Sequence, residues 1–266
     1  MTLPTTERNR LAAVFGHPGV ARAYQHRPPY PAEVFDILGG LITDQPRHVL
    51  DVGAGEGALA RPLARLADHV DALDMSAAMV AAGRERPGGR QPGLRWIVGT
   101  MQDAPLGGPY ALVTAGASMH WMPWAQTLTR LAGVMTSSAC LAIVEHNPSA
   151  PPWEKGLTEI VIRHSRSPGF DPNFRLIDAL TATGQFEVAG QATTAPVPFR
   201  QSVADCVEAL HSTSSLAREG MPPEESAIFD QQVTDLLQAH TSDGMLTMNI
   251  VASLTWGHCR AAADPD

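Results

Sequence analysis

The chain has 266 residues, enough for one α/β core carrying an insertion, and its 44% hydrophobic and 17% charged content is ordinary for a folded protein. A net charge of −8, with Lys155 as the only lysine, leaves no basic stripe to neutralise a phosphate backbone, so nucleic acid is not an expected partner. The longest clean apolar run, ACLAIV at 139–144, is too short to span a bilayer and the first residues lack the apolar core of an export signal, so a cytoplasmic protein without membrane attachment is expected.

Near the N-terminus, VARAYQHRPPYPAEVFDILGGLI at 20–42 reads as a short segment, a proline turn and an amphipathic helix from about Pro31 to Ile42. From 48 to 145, short β-rich apolar runs alternate with Ala/Leu/Arg stretches, the pattern of βαβ units around a parallel sheet. HVLDVG, HVDALDM, LRWIVGT, YALVTAG and CLAIVEH are the five predicted strands. Between the first two, residues 58–67 read as a helix that tolerates Pro62 near its start. Ser76 is placed to cap the next helix, which PGGRQPG at 87–93 ends.

After the loop NPSAPPW at 147–153 the pattern is less regular. Residues 184–199 read as one strand, 202–212 and 222–240 as helices, and 244–257 as a closing strand. The scattered Cys140, Cys206 and Cys259 have no metal or disulfide spacing, and Cys140 reads as a small core residue.

The chemistry is carried by LDVGAGEGALARPLARL at 50–66. Gly53 and Gly55, with Ala58 in third place, meet the loose pattern G-x-G-x-x-G/A, and Asp74 lies about 20 residues beyond the first glycine. Spacing alone therefore permits a nicotinamide dinucleotide. Charge argues against it: Glu56 occupies the helix N-terminus where a pyrophosphate would rest, and Asp51 adds a second carboxylate. A cofactor with a positive charge and an amino acid head group fits better. The plainer alternative is a turn that needs glycine for positive φ and an acid that caps a helix.

VLDVGAGEGALARPLA resembles the first motif of class I S-adenosylmethionine-dependent methyltransferases, and DALDMSAAMVAAGR resembles the second. GTMQDAPL is similar to the family's third segment, and SMHWM with YQHRPPYP resembles the small-molecule branch that includes trans-aconitate methyltransferase-like proteins. The resemblance implies an α/β fold, a doubly wound seven-stranded, mostly parallel, Rossmann-like sheet with its last strand antiparallel, under a helical lid. It divides the chain into an N-terminal lid segment and first helix (1–45), a cofactor-binding core (46–150) and a remainder carrying the inserted lid (151–266).

It further implies S-adenosylmethionine as cofactor, held by Asp51, Gly53, Gly55, Asp74, Met75, Met101 and Gln102, with Tyr24 and Arg27 near its methionine end. Gln102 stands where the family commonly has an acid. His120, after strand 4, is the candidate general base, although methyl transfer from a sulfonium requires one only for some acceptors. Trp121, Trp124 and His211 are candidates for the acceptor pocket, and Arg163, Arg166 and Arg218 for anchoring a carboxylate. Glu145 and His146, ending strand 5, reach the same crevice if the register holds.

The expected reaction is methylation of a small organic acceptor, at a carboxylate or hydroxyl oxygen. C- or N-methylation, an NAD-dependent oxidoreductase and a non-catalytic binding protein are the rival readings, and self-association as a homodimer is left open.

Overall fold

The computed structural model describes residues 10–167 and 174–261. Strand β1 (His48–Val52) is buried from Val49 onward because both its faces are covered. Leu50 and Val52 pack on one side with β4 (Tyr110–Gly116), α5 (Trp124–Val134) and α7 (Leu176–Thr181), whereas Val49 packs on the other with α2 (Glu33–Leu41) and α3 (Ala60–Leu63). Between these elements lie β2 (His69–Asp74), α4 (Ala77–Glu85) and β3 (Leu94–Val98). Ser76 caps α4 as expected, accepting from Met79 N at 3.1 Å.

Among the described residues the sheet has eight strands, completed by β5 (Met135–Pro148), β6 (Phe186–Thr193), β7 (Val197–Ser202) and β8 (Met245–Cys259), in the order β3-β2-β1-β4-β5-β8-β6, with β7 also on β8. β5 runs parallel to β4, and the long closing strand β8 is antiparallel to it, as the resemblance implies. A dinucleotide-binding sheet has six parallel strands in the order 3-2-1-4-5-6, so the antiparallel strand wedged beside β5 separates this fold from that one.

Seven strands become eight because the run at 184–199 does not continue as a single ladder. It divides into β6 (Phe186–Thr193) and β7 (Val197–Ser202), both paired with β8. Between them Thr194 N bonds Ala252 O, Ala195 N turns away to the Glu33 carboxylate, and Pro196 has no N–H to offer. Two further expectations shift. The helix at 58–67 is regular only over α3, and the loop at 147–153 starts late because Asn147 and Pro148 still pair with Val251 and Ile250.

A separate apolar cluster forms above the sheet, where α6 (Glu154–His164), α8 (Val203–His211) and α9 (Pro223–Gln238) bury Trp153, Val207, Phe229 and Val233 against Leu246 and Met248. In the same half of the chain α7 puts Leu176 and Leu180 into the main core. The N-terminal helix α1 (Pro18–Ala23) joins the two parts, with Val20 and Ala21 packed on Met79 of α4 and on Ala217.

Candidate active site

The carboxyl ends of β1, β2 and β4 open onto two cavities that share one floor. One, of about 490 Å³, is lined by Met75, Gly99, Met101, Gln102, Trp121 and Met122, with Asp74 at its edge. The other, of about 640 Å³, is lined by Arg27, Tyr30, Asp51, His146, Phe199, Gln201 and Met245. Gly53, Gly55, Gly116, Ala117 and Tyr24 belong to both.

The loop can take this path only with glycine at its head. Gly53 has φ 68°, and a Cβ there would stand 2.5 Å from Cβ of Ser118. Ser118 Oγ donates to Val52 O at 2.6 Å, which fixes that approach. Ala117, beside it, holds φ 48°, a conformation L residues rarely adopt, and such strain concentrates at functional sites.

Asp74 accepts at both oxygens, from Gly55 N at 2.7 Å and from Ser76 N at 2.8 Å. Each oxygen keeps further acceptor capacity, enough for a vicinal diol. Burial raises the Asp74 pKa and the two backbone bonds oppose that rise. Met75 next to it is 52% exposed, an apolar surface left open at the cavity edge, while Met101 is buried. An adenosine with a sulfonium-bearing amino acid tail fits this arrangement: an acid for the ribose, an apolar platform for the base, and a glycine floor that no Cβ crowds. Gln102 lines the same cavity and donates to Thr127 Oγ1 at 3.3 Å. Its neighbour Asp103, not singled out by the sequence reading, lines the cavity too and accepts from Thr100 Oγ1 at 2.9 Å.

Three expectations about charge change. Glu56 is no free anion at the helix start, since Arg86 donates to it at 2.8 Å and Arg61 lies at 3.7 Å. Asp51 accepts from Ala60 N at 3.1 Å and from Thr114 Oγ1 at 2.8 Å, so it holds the first turn of α3, and burial pushes its pKa up to about 7. The repulsion expected against a pyrophosphate is thereby reduced, and the strand order carries the distinction instead. Arg27 does not extend an open fork either: its guanidinium lies 3.9 Å over the Tyr24 ring, and it donates to Ser212 Oγ at 2.6 Å and Ser212 O at 3.1 Å.

The acceptor candidates separate. His120 sits after β4 in a short 3-10 turn, its ring 4.6 Å from that of Trp121. Its side chain is exposed, but crowding by the surrounding protein, seconded by Arg27, lowers its pKa to about 4. It is absent from the lining of both cavities. Trp121 lines the adenosine side and packs on Phe15 at 5.7 Å. Trp124 turns back to the core, donating to Met119 O at 2.8 Å. His211 is a buried tie within the lid, with Nδ1 2.6 Å from Leu216 O and Nε2 2.5 Å from Asp230 Oδ1. Arg166 pairs with Glu225, Arg218 with Glu208 and Asp230, and Arg163 reaches Gln232, so these three arginines serve the lid and line neither cavity.

Among the side chains that line the larger cavity are Tyr30, His146, Phe199, Gln201 and Met245. Of these, only His146 was signalled, through its place at a strand end. Tyr30 lies against the ring of His146 at 4.1 Å.

Residues 49–138 match the family described as a methyltransferase domain. A trans-aconitate 2-methyltransferase of Mycolicibacterium gilvum is 34% identical over 122 residues, 44% of this chain and 45% of that relative. The chain thus matches less than half the length of this curated relative. Among solved structures, a SAM-dependent methyltransferase from Geobacter sulfurreducens in complex with S-adenosyl-L-homocysteine aligns with TM-score 0.53 at 17% identity, over 97% of this chain and 99% of that one. One from Thiobacillus denitrificans, in complex with the same ligand, aligns with TM-score 0.53 at 13% identity, over 98% and 100%. Residues 49–138 thus match a methyltransferase domain, and the fold of the chain is the one those two methyltransferase structures share.

Proposed function

We propose that this chain transfers a methyl group from S-adenosylmethionine to an oxygen of a small organic acceptor. The observation that carries the reading is the meeting of the two cavities on Gly53, Gly55, Gly116, Ala117 and Tyr24, one side suited to adenosine and the other walled by the N-terminal segment and by the ends of β5, β7 and β8. Bound there, the cofactor supplies a methyl on a sulfonium, which is open to in-line displacement.

The protein's part is positioning. Asp74 takes the ribose hydroxyls, Met75, Met101 and Gln102 surround the base, and the glycine loop lets the amino acid tail approach the backbone. Tyr24 closes the junction from above, with Arg27 stacked on it. Phe199 of β7 and Met245 at the start of β8 give the acceptor side apolar walls. Holding the two reactants in line across this junction supplies a large share of the acceleration. The name of the Mycolicibacterium relative points to a carboxylate acceptor, while the imidazole and phenol in the larger cavity suit a hydroxyl.

Calorimetric titration with S-adenosylhomocysteine, run beside NAD, tests the cofactor, and transfer of labelled methyl to a panel of small carboxylates, phenols and alcohols tests the reaction. Micromolar binding of S-adenosylhomocysteine alone with labelled ester or ether product is the expected result. Binding of NAD alone overturns the reading.

A further inference from the structure

We infer that His146, rather than His120, receives the proton of a hydroxyl acceptor, which Tyr30 holds against the glycine floor; the inference rests on the methyl-transfer reading above. His146 Nε2 lies 2.8 Å from the carbonyl oxygen of Pro28. A carbonyl only accepts, so Nε2 carries the ring proton and Nδ1 is left as a lone pair. Among the described residues Nδ1 makes no hydrogen bond, and it is not among the sealed polar atoms without partners. The tautomer needed of a base is thus set by the backbone of the N-terminal segment.

The neighbours agree. The ring of Tyr30 lies 4.1 Å from that of His146, and a Cβ on Gly116 would come within 2.7 Å of the Tyr30 hydroxyl. That hydroxyl therefore stands over the floor shared by the two cavities, with His146 beside it. The charged and titratable groups around the pair are Arg27 and Tyr24 on the N-terminal segment, Asp51 below, and Glu145 next along β5. Burial lowers the pKa of the imidazole, against a smaller opposing pull from the Pro28 bond and with a lesser contribution from Arg27, and burial keeps both phenols protonated. Among the described residues His120 has no hydrogen bond that orients its ring, and it lines neither cavity.

Such a base is idle for a carboxylate, which is already ionised at neutral pH, so the geometry selects acceptors with a hydroxyl. The acceptor oxygen forms its bond to the methyl carbon as the carbon–sulfur bond breaks, leaving its electron pair on sulfur. The O–H bond breaks with its proton passing to Nδ1 of His146, and from there to solvent.

The test compares His146→Gln with His120→Ala in the full chain. Glutamine can keep an N–H toward Pro28 but cannot titrate, so a merely structural histidine is rescued by it and a base is not. We expect His146→Gln to bind S-adenosylhomocysteine as the wild type does and to lose about 100-fold or more in kcat toward phenols and alcohols, losing the low-pH limb of the profile as well, while His120→Ala stays within a few-fold. In 15N NMR of the wild type, Nε2 should carry the proton and Nδ1 should shift when a hydroxyl substrate from the panel is added. Unchanged kcat in His146→Gln, a dominant loss in His120→Ala, or a proton on Nδ1 overturns the assignment while methyl transfer itself stands. Turnover of carboxylates alone also overturns it. Failure of the wild type to bind S-adenosylhomocysteine brings down the functional reading first.

Discussion

The backbone N–H of Gly55 donates to Oδ2 of Asp74 at 2.7 Å, so the residue that would hold the ribose also holds the glycine loop. Removing the carboxylate costs both roles. Asp74→Ala should weaken S-adenosylhomocysteine about 10- to 100-fold, in the range expected for hydrogen bonds to a charged group, as read by calorimetry. Because burial raises the Asp74 pKa, acidification should weaken binding at a higher pH than an ordinary aspartate would give, and Asp74→Ala should abolish that dependence. Equal binding by variant and wild type would remove Asp74 from the site.

Two glycines of the loop should differ. Gly53 and Gly55 both have positive φ, but a Cβ on Gly53 meets Ser118 at 2.5 Å whereas one on Gly55 meets only the Tyr24 ring at 3.9 Å. Gly55→Ala should therefore cost about 1 kcal/mol of conformational strain, and Gly53→Ala roughly 2–3 kcal/mol because the β1–β4 contact must also open. Thermal melts give the ranking, and a similar loss for both would mean that the Ser118 contact relaxes freely.

These cofactor-side features were legible because they are local. A buried strand, a glycine turn and a helix start fall within 17 residues, and Asp74 follows at the end of the next strand. Ser76 could be read as a cap for the same reason. Glu56 was legible as a charge but not as a neutral pair, since Arg86 lies 30 residues away. The acceptor side was hidden for a similar reason: Tyr30, His146, Phe199 and Met245 come from four separate segments. Trp124 and His211 looked like ligand contacts because a polar aromatic carries no sign of whether its N–H will meet a ligand or, as here, a backbone carbonyl or carboxylate.

Arg27 joins the N-terminal segment to the lid through Ser212 and adds to the lowering of the His120 pKa that burial leads. Two substitutions divide these roles. Arg27→Ala should raise hydrogen exchange in residues 24–30 and in α8, and should let His120 titrate above its value of about 4, toward the ordinary imidazole range. Arg27→Lys keeps the charge but not the planar fork, so exchange should rise while His120 stays low. If the lysine variant exchanges like the wild type, the Ser212 bonds are not what holds the segment down.

Asp51 offers a test of stability against pH. Its carboxyl is protonated up to about pH 7 in the folded protein, whereas the ordinary value is 3.8. Between those two values the unfolded chain releases a proton that the folded one retains, so this group's contribution to stability falls as pH rises through the window and is smallest above it. Asp51→Asn removes that dependence. The amide oxygen can accept from Ala60 N and the amide nitrogen can donate to Thr114 Oγ1, so the first turn of α3 keeps its partner. The variant should melt close to the wild type at pH 4 and about 2–4 °C or more above it at pH 8. A difference that is constant across that range, or larger at pH 4, would mean that Asp51 is ionised in the fold and that its bonds to Ala60 and Thr114 outweigh its burial.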